Sequence, residues 1–197
     1  MTDANDLVVL FEAVRLGNQE AFRHLYERTK TRVFNLALGY VRNREDAEEI
    51  TQDVYIELFR SAGNFKGDAS GTTWLYRIAV NKSLDFLKHQ KRQKRFAFLT
   101  SLFDAQTGET LHQPTDFSHP GSTLENKEQA TMLFRAIDTL SEKQKTAYML
   151  TKVEGLSNIE TAAIMTISVG AVESLLQRAN DNLKKQLASF YKTLYNP

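Results

Sequence analysis

Apolar residues recur at helical spacing along nearly all of this chain, and the pattern fails over one long interval, Phe96 to about Thr123. That interruption constrains the fold more than any other feature. Amphipathic helices on either side of it must bury their apolar faces against their own neighbours, which predicts two small helical bundles rather than one large one. On the N-terminal side, Leu7, Leu10, Phe11 and Val14 fit a first helix, and Asn18 is placed to cap a second that carries Phe22, Leu25, Tyr26, Val33, Leu36 and Ala37. A third, from about Glu45 to Phe59, turns Ala47, Ile50, Val54 and Leu58 inward. Gly63 and Gly67 break the pattern, and Ser70 or Thr72 caps a fourth helix in which Leu75, Ile78, Ala79 and Phe86 share a face.

The interval itself holds Pro114 and Pro120, two of the chain's three prolines, together with Gly108, Gly121 and many Ser, Thr and Gln residues. This is the composition of a flexible linker, with Phe98, Leu99, Leu102 and Phe103 as a candidate short docking segment. Helical spacing resumes from Leu124 to Leu140. Ser141-Glu142-Lys143-Gln144 reads as a capping box for a helix ending near Gly155, and Ser157-Asn158-Ile159-Glu160 as a second one opening a short helix. A tight turn at Thr166-Ile167-Ser168 leads into a long helix from about Val169 to Tyr191, with Leu156, Ala162, Ile164, Ile167, Val172, Leu176 and Ala179 as the expected core. Short helix, turn and longer helix make a helix-turn-helix pattern, although a generic three- or four-helix bundle has the same periodicity. The expected fold class is all-α, with domains at 1–95 and 124–197 and a linker at 96–123.

Composition narrows the chemistry. There is no Cys, hence no disulfide and no thiolate metal site. The four His (His24, His89, His112 and His119) are scattered, and neither a phosphate loop nor a nucleophile elbow is present, so no cofactor, metal, small-molecule substrate or enzymatic activity is expected. The opening MTDANDLVVLFEAVRLGN has acids where a secretion signal carries cations, and no stretch approaches a membrane span, which predicts a cytoplasmic protein. Net charge is only +1, yet it is unevenly placed. Glu45, Asp46, Glu48, Glu49, Asp53 and Glu57 crowd one helix, and Lys88, Lys91, Arg92, Lys94 and Arg95 crowd the end of another. One surface repels phosphate and the other attracts it, the pattern of a protein that meets nucleic acid on one face and a basic protein on another. On the fourth helix, Arg77, Asn81, Asp85 and Lys88 recur every third or fourth residue below Trp74. Such a stripe can hold phosphates, read base edges and stack on an unpaired base; an ordinary solvated surface helix has the same look.

Three segments in this order resemble the extracytoplasmic-function group of bacterial sigma factors, promoter-specificity subunits of RNA polymerase: DAEEITQDVYIELF (46–59), NFKGDASGTTWLYRIAVNKSLDFLK (64–88) and EGLSNIETAAIMTISVGAVESLLQRANDNLKKQL (154–187). The resemblance implies a region-two-like domain whose 46–59 helix docks on a coiled coil of core polymerase, with Gln52 and Asp53 central and Asp46 and Glu49 in support. It implies that the loop and helix after it capture and read the minus-ten promoter element. The implied residues are Asn64, Lys66, Asp68, Ser70 and Trp74 around a flipped base, and Arg77, Asn81, Lys82, Lys88, Lys91 and Arg92 along the strand. A region-four-like domain would then present Ser168, Val169, Gly170, Ala171, Glu173, Ser174, Gln177 and Arg178 to the minus-thirty-five element, with Lys184 and Lys185 reaching backbone. The chain departs from the family in this last part. Glu173, Leu175 and Asn180 stand at positions that are often basic, Thr161 where an apolar residue is usual, and Thr166 where Gly is usual. This domain is therefore expected to bind DNA weakly alone and to rely on tethering to polymerase. The resemblance also implies an anti-sigma partner, often membrane-bound. Two further functions fit the residues without the resemblance: a stand-alone helix-turn-helix regulator of duplex DNA, and a helical protein-binding adaptor.

Overall fold

The computed structural model describes the backbone of residues 3–65, 70–103 and 132–195, and the side chains of 6–65, 70–95 and 132–188. Every element in those segments is helical. The chain divides into two compact units between Thr115 and Asp116.

The first unit contains α1 (Asp3–Arg15), α2 (Gln19–Val41), α3 (Arg44–Ser61), a single 3-10 turn (Ala62–Asn64) and α4 (Gly71–Phe103). Polar side chains start these helices as the sequence predicts. Asn18 Oδ1 accepts the Ala21 N–H at 3.0 Å, and Ser70 Oγ accepts the Thr73 N–H at 3.1 Å, so Ser70 rather than Thr72 caps α4. The corner between α2 and α3 is two residues long. Arg42 adopts a left-handed conformation (φ 59°) and donates its N–H to Leu38 O, and Asn43 Oδ1 then caps α3 through the Asp46 N–H at 2.9 Å. Leu7, Phe11 and Val14 of α1, Leu25, Val33, Leu36 and Ala37 of α2, Ala47, Ile50, Val54 and Leu58 of α3, and Leu75, Ile78 and Ala79 of α4 form the core. Each large side chain among them contributes about 1.5–3 kcal/mol by leaving water.

The hydroxyls of Thr29, Thr51 and Ser83 inside this core are satisfied. Thr51 and Ser83 each donate to the carbonyl four residues back, and Thr29 does the same to Leu25 O while sharing a 2.6 Å hydrogen bond with the Tyr55 hydroxyl. Burial pushes the Tyr55 phenol far above its usual range, so it stays a neutral partner at any physiological pH. The start of α4 lies directly on α1: a Cβ added at Gly71 would overlap the Phe11 ring. Only glycine permits this approach.

α4 runs to Phe103 instead of ending with the basic cluster at Arg95, so the break expected at Phe96 falls later. No Gly or Pro lies between Gly71 and Gly108, and helix propagation continues where nothing interrupts it. The candidate docking segment Phe98–Phe103 is therefore helical backbone, and the rest of the expected linker lies outside the described residues, as does the start of the helix expected from Leu124.

The second unit contains α5 (132–138), α6 (Glu142–Tyr148), α7 (Asn158–Met165) and α8 (Val169–Tyr195). Both capping boxes form. The Ser141 N–H donates to Gln144 Oε1 at 3.3 Å. Ser157 shares three bonds with Glu160: its N–H and its Oγ donate to Oε2 at 2.8 and 2.7 Å, and its Oγ accepts the Glu160 N–H at 3.2 Å. α6 continues into a π-type turn, Met149–Val153, closed by the Glu154 N–H on Met149 O at 3.0 Å, and Gly155 (φ 73°) then turns the chain. Thr166 terminates α7 in the left-handed conformation (φ 56°), the position where glycine is the easier residue. The axes of α7 and α8 meet at 102°, as in a helix-turn-helix. Ala147, Ala162, Val172 and Leu176 form the core between α6, α7 and α8, with Met165, Ile167 and Leu175 packed against it. Leu156, expected in the core, is only half-buried. α6 is tied to α5 by the largely buried Lys145, whose Nζ donates to Asp138 Oδ1 at 2.8 Å.

Candidate functional site

The 46–59 segment sorts its residues by face. Ala47, Ile50, Val54 and Leu58 are at most 2% exposed, and Glu49, Gln52 and Asp53 stand on the opposite side in solvent. Asp46 is half-buried, its N–H held by Asn43. Sequence reasoning missed the continuation of this face: Ile56 and Phe59 lie one and two turns beyond Gln52, 48% and 53% exposed, and Phe59 meets the Phe22 ring edge-on at 5.2 Å. The signal was available, since both are apolar at positions that the buried set of α3 excludes.

In α4 the predicted residues do not all face solvent alike. Asn64 at the end of the 3-10 turn, Asn81, and Lys88, Lys91 and Arg92 are exposed; Arg77 is half-buried; Lys66 and Asp68 lie outside the described residues. Ser70 is engaged as the cap and also shares a 2.9 Å hydrogen bond with Thr73 Oγ1. Trp74 is half-buried and stacks on Phe65, with centroids 4.6 Å apart and planes at 20°. That contact joins the residue closing the 3-10 turn to the first turn of α4. Two local pairings constrain the cations. Lys82 Nζ is 3.4 Å from Glu57 of α3, and Lys88 Nζ donates to Asp85 at 3.4 Å. Asp85 is thus paired one turn forward, and Asn81 stays free of it. Past this point Lys91, Arg92, Lys94 and Arg95 form a fully exposed basic end.

On the helix-turn-helix, Ser168 Oγ accepts the Ala171 N–H at 3.2 Å and caps α8. Ser168, Val169, Gly170, Glu173, Ser174, Gln177 and Arg178 are exposed and Ala171 is half-buried, so all eight predicted positions stand on or beside the open face. Ser174 Oγ donates to Gly170 O at 2.9 Å. The face is small-residued and nearly neutral, with Arg178 and Glu173 its charges between Val169 and Asn180. Lys184 and Lys185 are exposed further along.

Among the described residues, no group of His, Asp or Glu is arranged to hold a metal ion, and no single helix is long and apolar enough to cross a membrane. The arrangement suits contact with nucleic acid and protein.

Comparison with known proteins agrees with this geometry. Residues 25–93 match the family described as Sigma-70 region 2, and residues 130–181 the family described as Sigma-70, region 4. The chain is 33% identical over 179 residues to the ECF RNA polymerase sigma-E factor of Escherichia coli, covering 91% of this chain and 93% of that one. It is 32% identical over 178 residues to the RNA polymerase sigma-H factor of Pseudomonas aeruginosa, covering 90% and 92%. Among solved structures it shares its fold with CnrH in complex with the cytosolic domain of CnrY (TM-score 0.69, 22% identity, 93% of this chain and 98% of that one). It does so as well with the sigma factor RpoE bound to the anti-sigma factor NepR from Bartonella quintana (TM-score 0.64, 19% identity, 85% and 96%). The chain belongs to the ECF sigma factors, sigma-70 proteins that direct promoter-specific transcription by RNA polymerase.

Proposed function

We propose that this sigma factor divides its work among three helices. Residues 1–95 carry the polymerase-docking face and the minus-ten reader, residues 124–197 carry the minus-thirty-five reader, and 96–123 connects them. The exposed Glu49, Gln52 and Asp53, with half-buried Asp46 beside them, over the fully buried inner face of α3 carry this reading. An acidic, solvent-facing helix held rigidly by its own core is complementary to a basic docking partner. The stacked Trp74, exposed Asn64 and Asn81, and the basic end of α4 form the minus-ten surface, where stacking on one unpaired base is worth about 1–3 kcal/mol. The protein works without catalysis, in the cytoplasm with core polymerase and promoter DNA. It is held in check by an anti-sigma protein, the class to which NepR belongs in the neighbouring complex. Family membership sets aside the stand-alone regulator and the adaptor.

Binding to bacterial core RNA polymerase tests this reading, comparing wild type with a Gln52→Ala/Asp53→Ala double variant. Loss of about tenfold or more, the signature of hot-spot residues, is the expected result. Unchanged affinity in a folded variant moves the docking face off α3.

A further inference from the structure

α8 brings little positive charge to a DNA backbone, and the fold supplies what the helix lacks. α6 packs against α8, and Asn182 Nδ2 donates to Gln144 Oε1 at 3.3 Å, fixing the start of α6 against the middle of α8. The preceding residue, Lys143, thereby comes to the open face of the helix-turn-helix. It lines one surface depression together with Arg178, and the small residues Gly170, Ala171 and Ser174 share that lining. The two lysines of α6 have separate fates. Lys145 is buried against Asp138, and Lys143 is exposed. No carboxylate lines the depression among the described residues, and its small residues leave room for a sugar–phosphate strand to approach both cations.

We propose that Lys143 is a DNA-backbone anchor, acting with Arg178 across this depression to hold phosphates of the upstream promoter duplex. The proposal rests on α8 being the minus-thirty-five reader. Its physical basis is counterion release: every phosphate neutralised by a cation adds to the salt dependence of binding, irrespective of base sequence. Lys143 lies outside the reading helix, so it strengthens binding without altering which sequence is read.

The test uses holoenzyme assembled from the full chain and core polymerase. Promoter fragments either include the minus-thirty-five duplex or stop just downstream of it, and affinity is measured against salt. On the complete fragment, Lys143→Gln lowers the log–log slope by about 0.9 whatever the minus-thirty-five sequence, and Lys143→Arg restores it. On the short fragment Lys143→Gln behaves as wild type. If Lys143→Gln leaves the slope unchanged and Arg178→Gln lowers it, the anchor is wrong and the reading of α8 survives. If neither variant changes the slope and truncation has no effect, the reading of α8 is itself overturned. A loss of core-polymerase affinity with an unchanged DNA slope also defeats the proposal, and assigns the depression to a protein contact.

Discussion

α4 and α8, the two helices proposed to meet DNA, are each capped by a serine and each carry a glycine in their first two residues, yet the glycines serve opposite ends. Gly71 is buried because the Phe11 ring occupies the space a side chain would need. At Gly170 nothing lies within 4 Å of an added Cβ. α4 is therefore pinned at its first residue, and about five turns further along it exposes Lys91, Arg92, Lys94 and Arg95. α8 begins in the open and is anchored from Val172 onward through Leu176, Ala179 and Leu183. The difference fits the two tasks. A pocket for a single base depends on geometry fixed to within about 0.5 Å, whereas a duplex needs an unobstructed surface it can approach.

The two units also differ at one buried threonine. In the first unit Thr29, Thr51 and Ser83 are buried with their hydroxyls bonded to carbonyls. In the second, Thr161 is fully buried, and its Oγ1 has no hydrogen-bond partner among the described residues.

The contrast can be broken by substitution. Gly71→Ala has the largest expected effect, a loss of about 1–3 kcal/mol from the first unit through forced displacement of Phe11. Chemical denaturation measures it, and a loss below about 0.5 kcal/mol would show that α1 yields and that α4 is not pinned. Thr161→Val is expected to raise the stability of the second unit by about 1 kcal/mol, because it deletes a buried polar group that nothing satisfies. A lower denaturation midpoint in that variant would mean the hydroxyl is in fact served. Gly170→Ala is the smallest change, a gain of about 0.5 kcal/mol from reduced backbone freedom. A destabilisation there would reveal packing over the start of α8 and remove the distinction between the two glycines.

Helix starts were legible in the sequence because capping is local chemistry. Asn18, Ser141 and Ser157 act on N–H groups two or three residues away, and all three do so in the structure. Inward faces were equally legible, since Ala47, Ile50, Val54 and Leu58 need only the helical period to be aligned. Helix ends were harder. α4 passes Arg95 without a breaker, and the π-type turn after Tyr148 depends on how Met149 and Leu150 pack, which no local pattern encodes. The site divides along the same line. The solvent-facing placement of Gln52, Asp53, Lys91 and Arg178 follows from periodicity. The Glu57–Lys82 pair, the Phe65–Trp74 stack and the approach of Lys143 to α8 each join different elements, and only tertiary packing brings them together.

The Phe65–Trp74 stack has a spectroscopic consequence. Trp74 is the chain's single tryptophan, so indole emission arises from this one place. Its ring is half-shielded, lies flat against one phenyl face, and belongs to the first turn of the helix assigned to strand capture. A nucleobase arriving at this residue, as proposed, would change the indole's surroundings directly. On that proposal, the intrinsic fluorescence of the unlabelled protein becomes a clock for promoter opening, read at the residue assigned to strand capture.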